Sequence, residues 1–565
     1  MSKFSDNITY YVLVGATGLV SAALAIALYV VYTELWAFTI GAIGFSTFLV
    51  IPLAFAAVVA SYFLVKRFAK TKTTGSGTHT VLEAYHLTNG AVSFRDTVIK
   101  PIAGMLTIGL GGSAGPEGPS LLAGGGVASQ IGKHLKVRSD LRRRLFVAGA
   151  AAGLAAIFRT PLTGILFALE IPYKNDLDRE TFIEAIISSI PAYLLSVAIL
   201  GAEPIFGNIP SPALTLDVIG LSLLLGSICG LYAVFFTKAF TFANQLGVKL
   251  RTKYGDAVVV SLCALSIAAS GLISIYSIGV GLHFVNALIS GAGFSIAALI
   301  AIILLKTFIT TTTLNWGGSG GLFFPTIVIG AGLGYIFAQV LSVNLAVMFI
   351  AVGMAALLAG THKILLTPVA FVIETLGGVF AIPALLASGI SYVLSGKASF
   401  YPLQPHTKLK TEGLALERFY LRGQKVVPNE LKATEAAEFM TANPYLLYKG
   451  TTVKAAVETF EEHNLRVMPV IDESSHVVGV VNLEDLGYID VRQQDAELPE
   501  TIFHKPTLIK ANTSLEAVAR LMMDNEEDHV FVVDEEDQLI GVVSGIDVVK
   551  KILELTASYG KLSKQ

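Results

Sequence analysis

One carboxylate, Glu117, stands among glycines and prolines in GGSAGPEGPS (111–120), within a strongly apolar chain. A charge at the middle of a bilayer costs at least ~2.5 kcal/mol, so a residue kept there is expected to do something. Two further segments share the Gly-rich character. GGSGGLFFPTIVIGAGLG (317–334) leads into another apolar helix, and GSGTHT (75–80) sets the Ser76 hydroxyl at a third helix start. A helix N-terminus carries free N–H groups and about half a positive charge, so it attracts an anion without a basic side chain. No lysine follows the glycines, which excludes a phosphate-binding P-loop. Hydroxyls and backbone N–H groups suit a dehydrated anion that must also leave. A carboxylate competes for the same donors because it is itself an anion. Protonation neutralises it, so opening at lower external pH is expected.

The elements that must position these residues are apolar. The chain has 565 residues, 53% hydrophobic and only 15% charged, against about 25% charged in soluble domains. Most of it must therefore meet lipid or a very large core. A net charge of −2 and the lack of a basic tract argue against nucleic acid as a partner. Cys229 and Cys263 lie in apolar runs and read as core residues, not as a disulfide or metal site. The N-terminal apolar run is too long for a signal peptide and reads as a retained first span.

From about Tyr10 to Leu394, apolar stretches follow one another: Val12–Tyr32, Ile40–Val65, Leu145–Leu169, Val218–Phe236, Val258–Ile275, Ile296–Leu305 and Val347–Leu358. Several are shorter than the ~20 residues that span a bilayer, or are broken by Gly and Pro. Paired interrupted segments in two halves point to a transport site at mid-membrane. Basic residues at Lys66–Lys72 and Lys133–Arg144 are placed on the cytoplasmic side.

After about Pro402 the character changes. The stretch QPHTKLKTEGLALERFYLRGQKVVPNE reads as a polar connector. Short β-branched runs then alternate with amphipathic helices, the pattern of a soluble α/β region. VIDESSHVVGVVNLEDL (470–486) aligns without a gap to VVDEEDQLIGVVSGIDV (532–548), and the preceding helices keep the same offset. This repeat resembles a tandem pair of CBS domains. The resemblance implies an adenine nucleotide (ATP, ADP or AMP) in the cleft between repeats, held by Ser544 with Asp547, and by Asp485 beside Asn482 in the first repeat. Helix capping by the same residues is the bland reading.

Taken with its CBS pair, residues 1–410 resemble the CLC family of chloride channels and chloride/proton exchangers. GSG at 75–77, GPEGP at 115–119, GGLFFP at 320–325 and Tyr401 in SFYPLQ carry the likeness, with AGAAAGLAAIFRTPLTGILFALE (148–170) in support. The resemblance implies an all-α polytopic membrane fold of two inverted repeats of tilted, broken helices, assembled as a homodimer with a pore in each subunit. It implies that the Ser76 and Tyr401 hydroxyls and the N–H groups of Leu322 and Phe323 hold the central chloride. Gly118 and Phe324 would join the anion-binding set, and Glu117 would be the gate, its carboxylate occupying the outer anion site and swinging away or taking up a proton to admit chloride. Serine at 76 favours chloride over nitrate or fluoride.

Three departures bear on mechanism. Pro116 stands where the family commonly has a basic residue, and Thr-His-Thr follows GSG in place of Ile-Pro. In FALEI, Ile171 occupies the position of the inner glutamate of many exchangers, and an aliphatic side chain relays no proton. The expectation is therefore a passive, chloride-selective channel gated by Glu117, with chloride/proton antiport as the alternative. A rival from another class is an intramembrane serine protease, with GGSG (317–320) supplying Ser319 and His362 acting as base. His362 otherwise reads as a loop histidine. Glu170 and Glu374 read as structural charges at helix ends, and Lys100 and Lys306 either raise the local potential for anions or snorkel to an interface. No enzyme activity, metal or required cofactor is expected. The expected organisation is a multi-pass domain (1–402) in the plasma or inner membrane, then a linker (403–430), cytoplasmic CBS domains (431–490 and 491–557) and a tail (558–565).

Overall fold

A computed structural model describes residues 2–137, 139–207, 212, 214–343, 345–407, 411–463, 465–486, 495–525 and 527–562. The expected boundary between the CBS repeats, at 490/491, lies outside the described residues, as do Asn464 and Glu526 at the ends of the repeated helices. The chain divides into two units, Met1–Thr407 and Lys408–Gln565.

The first unit is almost wholly helical. Its first half contains α1 (Ser2–Phe45), α2 (Val50–Phe68), β1 (Gly75–Ser76), α3 (Gly77–Leu87), α4 (Phe94–Gly109), α5 (Glu117–His134), α6 (Ser139–Phe158), α7 (Pro161–Glu170) and α8 (Phe182–Leu200). The second half contains α9 (Leu216–Tyr254), α10 (Asp256–Ile273), α11 (Leu282–Ile289), α12 (Ile296–Trp316), β2 (Ser319–Gly320), α13 (Phe323–Val340), α14 (Ala346–His362), α15 (Leu366–Leu376) and α16 (Ala381–Leu394). Among the described residues, seven helices are long and apolar enough to cross a membrane, and several shorter apolar ones accompany them.

Local chemistry sets the breaks. The apolar run 40–65 is split at Ser46, whose extended backbone ends α1 before α2 begins. The run 145–169 is split at Arg159, which adopts φ 54°, and Pro161 opens α7 where its missing N–H costs nothing. Serine hydroxyls cap α4 (Ser93) and α12 (Ser295), accepting from the N–H three residues on.

Two helix pairs pack most closely, α5 on α6 and α13 on α14, one in each half. A side chain at Gly124 would meet the backbone of Gly149, and one at Gly330 would meet that of Gly353. Small residues at the crossing let the backbones touch where no hydrophobic force draws helices together. The charges expected at helix ends are tied reciprocally. Glu170, ending α7, accepts from the backbone N–H groups of Leu365, Leu366 and Thr367 (3.1, 2.8 and 2.7 Å) at the start of α15. Glu374, near the end of α15, accepts from Leu162 and Thr163 (2.9 and 2.8 Å) at the start of α7. Each carboxylate satisfies the orphan donors of the other helix.

The second unit contains α17 (Thr411–Val426), α18 (Pro428–Ala433), β3 (Thr441–Ala442), β4 (Leu447–Tyr448), α19 (Val453–His463), β5 (Val467–Ile471), β6 (Val477–Asn482), α20 (Leu483–Leu486), β7 (Leu508–Lys510), α21 (Leu515–Asn525), β8 (His529–Val533), β9 (Leu539–Ser544) and α22 (Gly545–Leu562). The two repeats share a three-stranded unit, and β3 adds an antiparallel edge strand to β9 in the second sheet. β4 runs parallel to β5 and β5 antiparallel to β6; β7, β8 and β9 pair in the same way. Even the irregularity recurs at aligned positions, Val470/Ile471 and Val532/Val533.

The stretch read from sequence as a polar connector is different in the structure. It forms α17 and α18, which place Leu416, Tyr420, Val427 and Leu431 in the hydrophobic core of the second repeat. The many charges of this segment concealed an amphipathic period, and burial of one face decides its state.

Candidate functional site

The three glycine-rich segments meet. β1 and β2 lie parallel with Gly75 opposite Ser319 and Ser76 opposite Gly320. Gly75 N–H donates to Gly318 O (3.0 Å), and Gly115 N–H donates to Gly321 O (2.9 Å). These backbone bonds bring the first residues of α3, α5 and α13 together. Glycine is required at the junction, since a Cβ on Gly118 would stand 2.6 Å from Gly320 O. Side chains at Gly115 and Gly321 would collide with the carboxylate of Glu117.

Glu117 is the first residue of α5 and is fully buried. Its Oε1 accepts from Phe323 N–H at 2.6 Å, and the N–H of Phe324 also faces the carboxylate. Oε2 has no hydrogen-bond partner. The anion donor expected at Phe323 is therefore held by the carboxylate itself. Leu322, the N-cap of α13, is fully buried beside it.

Ser76 and Tyr401 are both buried, and neither hydroxyl has a hydrogen-bond partner. Tyr401 lies within electrostatic reach of Glu117. Neighbouring Phe400 packs its ring on Phe236 and Phe240, so the phenol, not the phenyl, carries the free polar group. Buried polar atoms ordinarily find partners, so three orphaned oxygens in one cluster ask for an absent ligand or water. Ser76 also borders a cavity of about 460 Å³ lined by His79, Thr80, Glu83 and Asn315 among others.

The buried lysines do not snorkel. Lys100 donates to Thr73 and Thr80 (3.3 and 3.2 Å) close to Ser76, and Lys306 is wholly buried on Gly279 O at 2.6 Å. The protease dyad is not assembled: Ser319 Oγ accepts from Ser61 (3.2 Å), while His362 Nδ1 pairs with Thr361 Oγ1 (2.9 Å).

His362 is no loop histidine. It ends α14, is fully buried, and its ring stands 5.5 Å from that of Tyr401 and 6.2 Å from that of Phe323. His79 lies 5.2 Å from Tyr401 on another side. Nothing in the spacing of the sequence joins residues 79, 362 and 401; packing alone does.

In the second unit, Asp547 accepts from Ser544 N–H and Oγ (3.0 and 2.6 Å). Asp485 accepts from Asn482 N–H (3.2 Å) and from His504 (2.8 Å). Both carboxylates cap the helices they begin, as the bland reading holds.

Comparisons with known proteins agree with this architecture. Residues 55–396 match the family described as voltage gated chloride channel, and residues 436–486 and 500–554 match the CBS domain. The H(+)/Cl(−) exchange transporter ClcA of Vibrio cholerae is 30% identical over 378 residues, 64% of this chain and 80% of that protein. A slow cyanobacterial Cl−/H+ antiporter shares the fold at TM-score 0.60 and 21% identity, covering 68% of this chain and 93% of its own. A eukaryotic CLC transporter does so at TM-score 0.59 and 18% identity, over 95% of this chain and 97% of its own. The chain thus belongs to the CLC family of multi-pass membrane anion transport proteins and carries a C-terminal pair of CBS domains.

Proposed function

We propose that this protein exchanges chloride for protons across a membrane, with Glu117 as the gate. The observation that carries the proposal is the buried Glu117 carboxylate resting on Phe323 N–H, beside the orphaned hydroxyls of Ser76 and Tyr401. In this reading, Ser76, Tyr401 and the N–H groups of Leu322 and Phe323 hold chloride once the carboxylate leaves. Gly118 and Phe324 supply the outer place. Protonation of Glu117 removes its negative charge and releases those donors, which couples a proton to the anion.

Ile171 alone favours a passive channel. A curated relative at 30% identity, named as an exchanger, supports the alternative. Reconstitution decides between them: under an imposed chloride gradient, proteoliposomes should move protons uphill, read by a pH dye. Chloride flux with no proton movement would establish a channel instead. Glu117→Gln should abolish proton movement and leave a chloride flux insensitive to pH.

The proposed organisation is a membrane domain over 1–402, a plasma- or inner-membrane setting, two subunits per assembly and CBS domains in the cytoplasm. The duplicated topology of the second unit supports an adenine nucleotide as its ligand, with Ser544, Asp547 and Asp485 turning from their caps to the ribose. A thermal shift with ATP, ADP or AMP that Asp547→Ala removes would support this; no shift with any of the three would refute it.

A further inference from the structure

Exchange requires a proton to reach Glu117 from the side opposite its own entrance, yet Ile171 has no group that can carry one. The neighbourhood of Ile171 contains one that can. The side-chain amide nitrogen of Gln404 lies within hydrogen-bond distance of three carbonyls that share its two hydrogens: Ile171 O (3.0 Å), Tyr173 O (3.1 Å) and His362 O (3.0 Å). It ties the end of α14 to the end of α7. Two residues beyond Tyr173 the chain surfaces at exposed Asn175.

The protonation pattern of His362 follows from its partners. Thr361 has a single hydroxyl hydrogen, and it points to the carbonyls of Leu357 (2.9 Å) and Leu358 (3.3 Å). Thr361 Oγ1 also lies 2.9 Å from His362 Nδ1. The Leu358 carbonyl, which can only accept, faces the same ring and favours the tautomer with its hydrogen on Nδ1 and a bare lone pair on Nε2. That atom is buried and has no partner. A buried acceptor without a donor is costly, and imidazole is the side chain whose ordinary titration range lies nearest neutrality.

The surroundings point it at the anion site. Its ring is bounded by those of Phe167 (6.4 Å), Phe323 (6.2 Å), Phe400 (5.4 Å) and Tyr401 (5.5 Å). Phe323 is the residue whose N–H holds Glu117. The titratable groups facing it are Tyr401 and His79, and Glu117 in turn lies within electrostatic reach of Tyr401. Its other charged neighbours are already engaged: Glu170 on the start of α15, and Lys363 on Tyr392 O and Ser395.

We propose that His362 is the inner proton carrier of this exchanger, replacing the carboxylate that Ile171 lacks. The proposal rests on the exchange reading. A proton from water beyond the α7 end adds to the Nε2 lone pair, giving an imidazolium whose charge is balanced by chloride held at Ser76 and Tyr401. The same proton then passes to the Glu117 carboxylate, leaving a neutral carboxyl and restoring the neutral ring. Chloride occupancy thereby favours proton entry, which links the two fluxes.

The experiment measures protons moved per chloride in proteoliposomes for the wild type, His362→Gln, His362→Asn, and His362→Gln combined with Ile171→Glu. Loss of a positioned proton-transfer group should cut proton movement by about 10²-fold in both single variants while chloride efflux persists. Ile171→Glu should restore coupling in the double variant, which no purely structural role for His362 would allow. Coupling equal to wild type in either single variant overturns the proposal. So does parallel loss of both fluxes with chloride binding weakened, which would make His362 an anion ligand. A wild type that moves no protons refutes exchange and this role together; a coupled wild type with coupled variants refutes this role alone.

Discussion

At the scale of single residues, the site is defined by polar atoms left without partners. Ser76 Oγ has no partner in the protein and Tyr401 OH faces only the Thr78 hydroxyl, so their removal should cost the fold little, within about 0.5 kcal/mol. Each should nonetheless weaken chloride binding by roughly 1 kcal/mol, about fivefold in Kd, because each would donate to the anion. Titration calorimetry with Ser76→Ala and Tyr401→Phe tests both halves; a large loss of stability with unaltered binding would make the hydroxyls structural. Glu117 and Ser76 stood out in the sequence because a charge or hydroxyl among glycines, prolines and apolar runs has few bland explanations, whereas Tyr401 entered only through the family resemblance. His362 did not stand out, since a lone histidine near a helix end carries no periodic signal. Its burial against Tyr401 is a product of packing between α14 and the segment after α16.

At the scale of elements, the crossed carboxylates deserve a direct measurement. Glu170 accepts three backbone N–H groups and the Thr367 hydroxyl, and Glu374 accepts two and the Thr163 hydroxyl. Either Glu→Gln change should lower thermal stability in detergent by about 1–3 kcal/mol, as charge-assisted bonds to the orphan N–H groups of a helix start are lost. Because each cap fixes the helix that carries the other, a double-mutant cycle should show coupling of about 0.5–2 kcal/mol. Strict additivity would mean that α7 and α15 are held independently. Helix identity was readable from apolar runs, but helix ends were not. The break at Arg159 and the stop at Lys363 both use a left-handed backbone at a residue type with no preference for it. Likewise, charge density in α17 obscured the apolar face that the core of the second repeat buries.

At the scale of the whole molecule, the second unit has its own dependence on pH. Burial raises the Glu417 carboxyl in α17 from its ordinary 4.5 to about 7, with Arg418 pulling weakly the other way. A carboxyl raised in the folded state binds more protons there than in the unfolded chain. Its contribution is therefore fully favourable below about pH 4.5 and is lost as pH rises through 7. The loss amounts to roughly 3 kcal/mol at about 1.4 kcal/mol per pH unit. In the intact protein, hydrogen exchange of α21 and α22, corrected for intrinsic rates, should show more opening at pH 8 than at pH 5. Glu417→Gln should flatten that dependence; an unaltered profile would assign it to other groups.

The sequence by itself determined the family. Composition called for lipid or a very large core, the gapless 470–486/532–548 repeat for duplicated domains, and Gly/Pro-rich helix starts around a carboxylate pointed to an anion. Those signals are local, or recur at fixed spacing. Tertiary structure alone decided where Glu117 rests, how three glycine segments hydrogen-bond into one junction, and which residue lies beside Ile171. These contacts join positions hundreds of residues apart, such as Gly75 with Gly318 and Gln404 with Ile171. They arise from backbone approach and burial, which leave no period along the chain to read.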